Sequence, residues 1–162
     1  MTTRRTVRAK DLMQTKVITL SPEATIAEAI ETFEEDHISG APVVDGAGHL
    51  VGVLSASDVT RKEHVVHGRL TTERSEYYFA NPLDEEVNPF SDIEGYSPEN
   101  EGPECVRDWM TPNIISVRPD ASLALVCKTM VRESVHRLLV VEDGKLKGIV
   151  SSFDVVRHFA GH

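Results

Sequence analysis

The chain has 162 residues, 40% of them hydrophobic, and sets 26 acidic side chains against 17 Lys and Arg, a formal net charge of −9. That length holds one domain, or two small halves sharing a core. A charge balance of this sign excludes a general nucleic-acid surface, which needs a basic excess to displace counterions.

Nothing approaches the run of about 18 apolar residues that a membrane span requires. Two cysteines, Cys105 and Cys127, do not make a disulfide framework. Cys127 falls on an apolar helix face and is expected to be buried. Arg4-Arg5 has the form of a twin-arginine start, but no apolar stretch follows it, so no targeting segment is expected. These features point to a reduced, soluble, cytoplasmic protein.

Residues 1–6 are polar and expected to fray. From Val7 a pattern begins that recurs. Asp11-Leu12-Met13 returns as Asp108-Trp109-Met110, a shift of 97 residues. At the same shift Ile18 meets Ile115, Pro22 meets Pro119, Ala24 meets Ala121, and Val43-Val44 meets Val140-Val141. One residue is then lost from a turn, and at a shift of 96 Gly52 meets Gly148, Ser55 meets Ser151, Asp58 meets Asp154 and Arg61 meets Arg157. An internal duplication that holds register this long is the firmest feature of the sequence.

Each copy reads β-α-β-β-α. The first strand is predicted at Val17-Ile18-Thr19 and again at Ile114-Ile115-Ser116. The first helix opens at Thr25, with Glu28 three residues on, a capping box. Its apolar residues Ile26, Ala29, Ile30 and Phe33 share one face. Copy two repeats this with Ser122 as cap and Leu123, Val126, Cys127 and Met130 on the face. A hairpin follows: Pro42-Val43-Val44, the turn Asp45-Gly46-Ala47-Gly48, then Leu50 to Leu54. In copy two it is Leu138 to Val141, Asp143-Gly144, then Leu146 to Val150. A unit of about fifty residues buries too little surface to stand alone. The predicted class is therefore α+β: two β-α-β-β-α repeats packed sheet to sheet with pseudo-twofold symmetry, leaving grooves where they meet. Residues 7–62 form repeat one and 105–160 repeat two.

Residues 63–104 are an acidic insertion between the repeats, with 11 Asp and Glu against Arg69 and Arg74. Its Tyr77, Tyr78, Phe79, Phe90 and Tyr96 argue against complete disorder. A loop packed on the module and a partner-binding arm remain equal readings. His64 and His67 make a lone H-x-x-H without a third ligand, which is no metal site.

The chemistry gathers in Ser134 to Phe159, read as strand, tight turn, strand and helix. Ser151 and Asp154, like Ser55 and Asp58, have the Ser-x-x-Asp spacing of a capping box, and that role is sufficient to explain them. An ionised carboxylate is also acceptor-only and can take hydrogen bonds from sugar hydroxyls. His136 and Arg137 stand before the strand, where a planar guanidinium and an imidazole suit a phosphate. The bland reading of the pair is a solvated strand end. Copy one has Ser39 and Gly40 at those positions, so the two sites should differ in charge. Arg61 and Arg157 sit three residues after each Asp, spaced for an ion pair on the helix. No glycine-rich phosphate loop and no nucleophile motif is present.

With G-V-L-S-A-S-D at Gly52–Asp58 and G-I-V-S-S-F-D at Gly148–Asp154, the duplicated pattern resembles a tandem pair of CBS domains, or Bateman module. The resemblance covers nearly all the chain outside residues 1–6 and 63–104. Through V-H-R-L-L-V-V the second copy is similar to the γ subunit of AMP-activated protein kinase. The resemblance implies a regulatory protein, not an enzyme, that needs no catalytic cofactor. Its ligand would be an adenine nucleotide (AMP, ADP or ATP) or S-adenosylmethionine, bound between the copies. It implies Asp58 and Asp154 on the ribose, and Ser55 and Ser151 on ribose or phosphate. It puts His136 and Arg137 on phosphate. Adenine would lie against Val17, Ile18, Thr19, Ala41 and Pro42, or Ile114, Ile115, Ser116 and Leu138. It further implies a homodimer and a regulated partner protein, with no nucleic acid and no membrane. Ligand filling would shift the angle between the copies or order residues 63–104. The alternative is a ligand-independent scaffold that dimerises and uses the acidic insertion as its contact surface.

Overall fold

Residues 5–59, 78 and 104–161 are described by a computed structural model of the chain. Most of the acidic insertion, the His64–His67 pair and Arg61 lie outside the described residues. The elements in chain order are α1 (Ala9–Leu12), α2 (Ile26–Glu35), β1 (Gly40–Val44), β2 (Leu50–Ser55), α3 (helical over 56–59), α4 (Val106–Trp109), β3 (Ser116–Val117), α5 (Leu123–Glu133), β4 (Arg137–Glu142), β5 (Lys145–Ser151) and α6 (Ser152–Ala160). The class is α+β. The chain divides into two units: Ile18 to Ile114 make one, and the residues up to Val17 join those from Ile115 onward in the other.

In the first-copy unit Thr25 caps α2. Its hydroxyl accepts the Glu28 N–H at 3.1 Å, and the Glu28 carboxylate accepts the Thr25 N–H at 2.9 Å. The helix buries Ile26, Ala29 and Phe33 against Leu20, Ala41, Val43, Leu54, Val59 and Val106. Each large apolar side chain so buried contributes about 1.5–3 kcal/mol. β1 and β2 form an antiparallel hairpin. Its turn is held by Asp45, whose Oδ1 accepts the N–H groups of Ala47 and His49, both at 2.9 Å. One residue of the insertion is described here: Tyr78 is fully buried, and its hydroxyl donates to the Asn113 carbonyl at 3.3 Å.

The second-copy unit repeats the plan with a longer sheet, in order β3-β4-β5. β3 runs parallel to β4, and β4 antiparallel to β5. The turn residues Asp143 (φ 52°) and Gly144 (φ 75°) are both left-handed, which a two-residue hairpin of this hand requires. Ser122 caps α5 by accepting the Leu125 N–H at 3.2 Å. Val126, Thr129 and Met130 are its buried face. Cys127, expected inside, is half-buried. Both cysteines are free.

The predicted first strands begin too early. In copy one the ladder reaches only Leu20, bridged to Val43, with the Leu20 N–H on the Pro42 carbonyl at 2.9 Å. In copy two it covers Ser116 and Val117. β-branched residues favour a strand where a half-buried pleated surface receives them. Ile18 is 38% exposed and Thr19 is also exposed, so positions 18–19 have no such surface.

The segment that leads each copy in sequence completes the other copy's unit. Ahead of copy one, Ala9 and Lys10 donate their N–H groups to the carbonyls of Ala121 and Pro119, at 2.8 and 2.9 Å. Ahead of copy two, Val106 and Arg107 donate in the same way to Ala24 and Pro22, at 2.8 and 3.0 Å. These are first-turn N–H groups, which a short helix cannot satisfy itself. Asp11 and Asp108 accept the N–H of Arg8 and Cys105 at the start of each segment. Each segment then crosses the second strand of the hairpin. Gln14 pairs with Ile149, and Thr111 with Val53. A glycine permits both crossings. A Cβ on Gly148 would stand 2.7 Å from the Gln14 carbonyl and 2.9 Å from Met13 Sδ; on Gly52 it would stand 2.9 Å from both the Thr111 carbonyl and Met110 Sδ.

Gly148→Ala is therefore expected to unseat residues 13–14 and cost about 1–3 kcal/mol in a urea melt. Gly46→Ala, with nothing within 4 Å, should cost almost nothing. Equal costs at the two sites would refute the crossing as the cause. A second expectation concerns pH. The His49 N–H, with further backbone donors and the His49 ring, holds the Asp45 carboxyl below its ordinary value of 3.8. A carboxyl held lower in the folded chain than in the unfolded one stabilises above the unfolded value. That contribution is lost as pH falls through the folded value. The stability gap between the parent and Asp45→Ala should hold near neutrality and close below about pH 4. Paired melts across that range check it, and a gap that widens in acid contradicts it.

Candidate functional site

β5 runs directly into α6, so Ser151 is both the last strand residue and the helix N-cap. Its hydroxyl accepts the Asp154 N–H at 3.2 Å. Asp154 Oδ2 accepts the Ser151 N–H at 2.8 Å and the Ser151 hydroxyl at 3.0 Å. Asp154 is 6% exposed. Its other oxygen, Oδ1, accepts Gln14 Nε2 at 3.1 Å. One strand over, Arg137 pairs with Ser151 in the ladder, and the His136 carbonyl accepts the Ser152 N–H at 2.8 Å. His136, Arg137, Ser151 and Asp154, read together from the sequence, thus meet in one corner of the second-copy unit. His136 is exposed and Arg137 half-buried.

The first-copy corner has the same backbone and different side chains. Asp58 accepts the Ser55 N–H at 2.8 Å, and the Ser55 hydroxyl accepts the Asp58 N–H at 3.3 Å. Ser55 is buried and Asp58 half-buried. Gly40 pairs with Ser55, and the Ser39 carbonyl accepts the Ala56 N–H at 2.9 Å. Ser39 and Gly40 therefore stand where His136 and Arg137 stand in the other unit, as the repeat register implies. Thr111 holds the place of Gln14.

The positions read as adenine walls behave unequally. Ala41 and Leu138 have no accessible surface, and Pro42 and Ile115 are buried, so these side chains serve the core. Val17 and Ile114 are half-buried; Ile18, Thr19 and Ser116 are exposed. Arg157 does not pair with Asp154: its guanidinium lies over the Phe153 ring, 4.7 Å from the centroid. Among the described residues no group of three or more His, Cys, Asp or Glu is placed to hold a metal. Nor is any helix among them long and apolar enough to cross a membrane.

Gln14 is the site residue that sequence reading missed. It comes from 140 residues away in the chain, and its counterpart Thr111 shares no chemistry with it that would mark the pair. The corner presents a buried carboxylate with one oxygen turned to an exposed amide, and two basic side chains at the adjoining strand start. Such a set can bind a polar ligand carrying hydroxyls and negative charge.

A family model described as CBS domain matches residues 9–64 and 106–161. The chain belongs to the CBS-domain family. It is 35% identical over 153 residues to the protein MJ1426 of Methanocaldococcus jannaschii, covering 91% of this chain and 88% of that one. It is 30% identical over 148 residues to MJ1225 of the same organism, of which it spans only 41%. Among solved structures, CBSX2 in complex with AMP matches with a TM-score of 0.65 at 25% identity, over 94% of this chain and 96% of that one. The CBS domain pair of protein MJ0100, in complex with 5′-methylthioadenosine and S-adenosyl-L-methionine, matches with a TM-score of 0.63 at 22% identity, over 97% and 98%. That second likeness is one of fold.

Removing the Asp154 carboxylate leaves the Ser151 N–H and the Gln14 amide without their acceptor. Asp154→Ala is expected to lower stability by about 1–3 kcal/mol. Asp154→Asn, which keeps an acceptor for the Ser151 N–H, should recover part of that loss. Urea melts of the three proteins check the order; an alanine variant as stable as the parent contradicts it.

Proposed function

We propose that this chain is a regulatory CBS-domain module that binds an adenine nucleotide (AMP, ADP or ATP) at the corner formed by His136, Arg137, Ser151 and Asp154. The observation that carries the reading is that the backbone of His136 and Arg137 joins the helix start where a buried, capped carboxylate stands. The carboxylate suits ribose hydroxyls, and Arg137 with His136 suits phosphate. The AMP held by CBSX2 and the adenosyl ligands held by the MJ0100 pair support an adenosine compound. S-adenosylmethionine is the alternative ligand, better suited to the first-copy corner of Ser55 and Asp58, where Ser39 and Gly40 replace the basic pair. No catalytic step is assigned to the module. The ligand acts by binding one form of the protein better than another, and a partner protein senses the shift. Two free cysteines suit a reduced, cytoplasmic setting.

Self-association belongs to the same proposal. α6 exposes Val156 at 62% and Phe159 at 73%, with Phe153 at 39% on the same helix. Apolar side chains so exposed on one helix suit a second copy of the chain, giving a homodimer. The same observation favours the second reading, a scaffold that needs no ligand.

Isothermal calorimetry with AMP, ADP, ATP and S-adenosylmethionine tests the choice. Binding of at least one adenine nucleotide is expected. Arg137→Ala should weaken AMP about tenfold or more while leaving adenosine nearly unchanged, since a charge-assisted bond to phosphate is lost. Absence of heat from every ligand, with Phe159→Ser dissociating a dimer in sedimentation, would leave the scaffold.

A further inference from the structure

Asp154 has little acceptor capacity to spare. Oδ2 takes two donors, the Ser151 N–H and hydroxyl. Oδ1 takes one, from Gln14. A carboxylate offers about four acceptor positions, so roughly one remains, on Oδ1. A vicinal diol brings two hydroxyl donors. Asp154 can receive one of them, and the other needs an acceptor alongside.

Gln14 supplies that acceptor. Its NH2 group is committed to Asp154 Oδ1, which leaves the carbonyl oxygen of the same amide beside the carboxylate. The side chain is exposed, so a ligand can reach it. Its backbone is fixed on β5, where the Gln14 N–H donates to the Ile149 carbonyl at 2.9 Å and the Ile149 N–H to the Gln14 carbonyl at 3.0 Å. We propose that Gln14 and Asp154 read a vicinal diol jointly, one hydroxyl donating to Asp154 Oδ1 and its neighbour to Gln14 Oε1, so that Gln14 sets a preference for an intact ribose at the second-copy corner. The proposal rests on the adenine-nucleotide reading given above. The first-copy corner has Thr111 instead, a shorter side chain that ends in a hydroxyl and lacks the separate NH2 and carbonyl of an amide. The amide-based preference therefore belongs to the second-copy corner.

The test is calorimetry of the full chain and of Gln14→Ala and Gln14→Thr with AMP, 2′-deoxyAMP and 3′-deoxyAMP. The parent should bind AMP about fivefold or more tighter than either deoxy analogue. In both variants the penalty should vanish for one analogue, the one lacking the hydroxyl that Gln14 receives, and persist for the other, which Asp154 receives. Melting temperatures near the parent's confirm that the exposed substitution leaves the fold intact. Two unchanged penalties overturn the proposal. Two penalties lost together also overturn it, because Gln14 then only positions Asp154. A parent that binds none of the three removes the nucleotide reading and this inference with it, whereas AMP binding with unchanged penalties removes this inference alone.

Discussion

The crossing of Gln14 over β5 is the contact on which the second-copy unit depends. Two backbone hydrogen bonds join Gln14 to Ile149, and the approach is possible because Gly148 has no Cβ where the Gln14 carbonyl and Met13 sulfur stand. These two bonds satisfy a donor and an acceptor on each residue, as a strand pairing does. The same crossing anchors α1, whose N–H groups close on Pro119 and Ala121. It also brings an amide from a remote part of the chain to the one carboxylate oxygen that the helix cap leaves open. The first-copy unit uses the identical device, with Thr111 over Gly52.

A shared backbone with unlike side chains separates the two corners. In both, a serine N-cap and an aspartate three residues on satisfy each other's backbone N–H, which fixes the carboxylate. Around that constant, the second-copy corner has His136, Arg137 and Gln14 where the first-copy corner has Ser39, Gly40 and Thr111. Duplication has kept the capping box, which the fold needs, while the surrounding side chains differ in charge and hydrogen-bonding capacity. Whatever each corner binds, the two are not chemically interchangeable.

Local features were legible in the sequence because their causes are local. The Thr25–Glu28 box, the Asp143-Gly144 turn and the hairpins each follow from residues within a few positions of one another. The meeting of His136, Arg137, Ser151 and Asp154 was legible too, since a hairpin fixes which residues stand side by side. Strand starts at Val17 and Ile114 were misplaced because β-branched composition signals a strand without saying where its partner lies. The role of Met13 and Met110 was hidden although their recurrence was plain: each packs beside a glycine that belongs to the other copy. Arg157 was read as a charge partner for Asp154, but it lies on Phe153, and the Gln14 amide sits on Asp154 Oδ1. Apart from Arg157, whose ring partner is four residues away on the same helix, these misses involve a contact whose second member is distant in sequence.

The exchange of leading segments has a consequence for how the protein is made. Arg8 bonds to a carbonyl 112 residues further on, and Gln14 to a side chain 140 residues further on. On the ribosome, the first copy emerges without residues 104–111 and waits for them. The first residues synthesised must stay available for strands that are made last. The first-copy unit can close once Ile114 has emerged, whereas the second-copy unit joins the first residues made to the last and closes only at the end of synthesis. Lengthening the connection between the copies adds little to that delay, because closure entropy grows only as the logarithm of loop length.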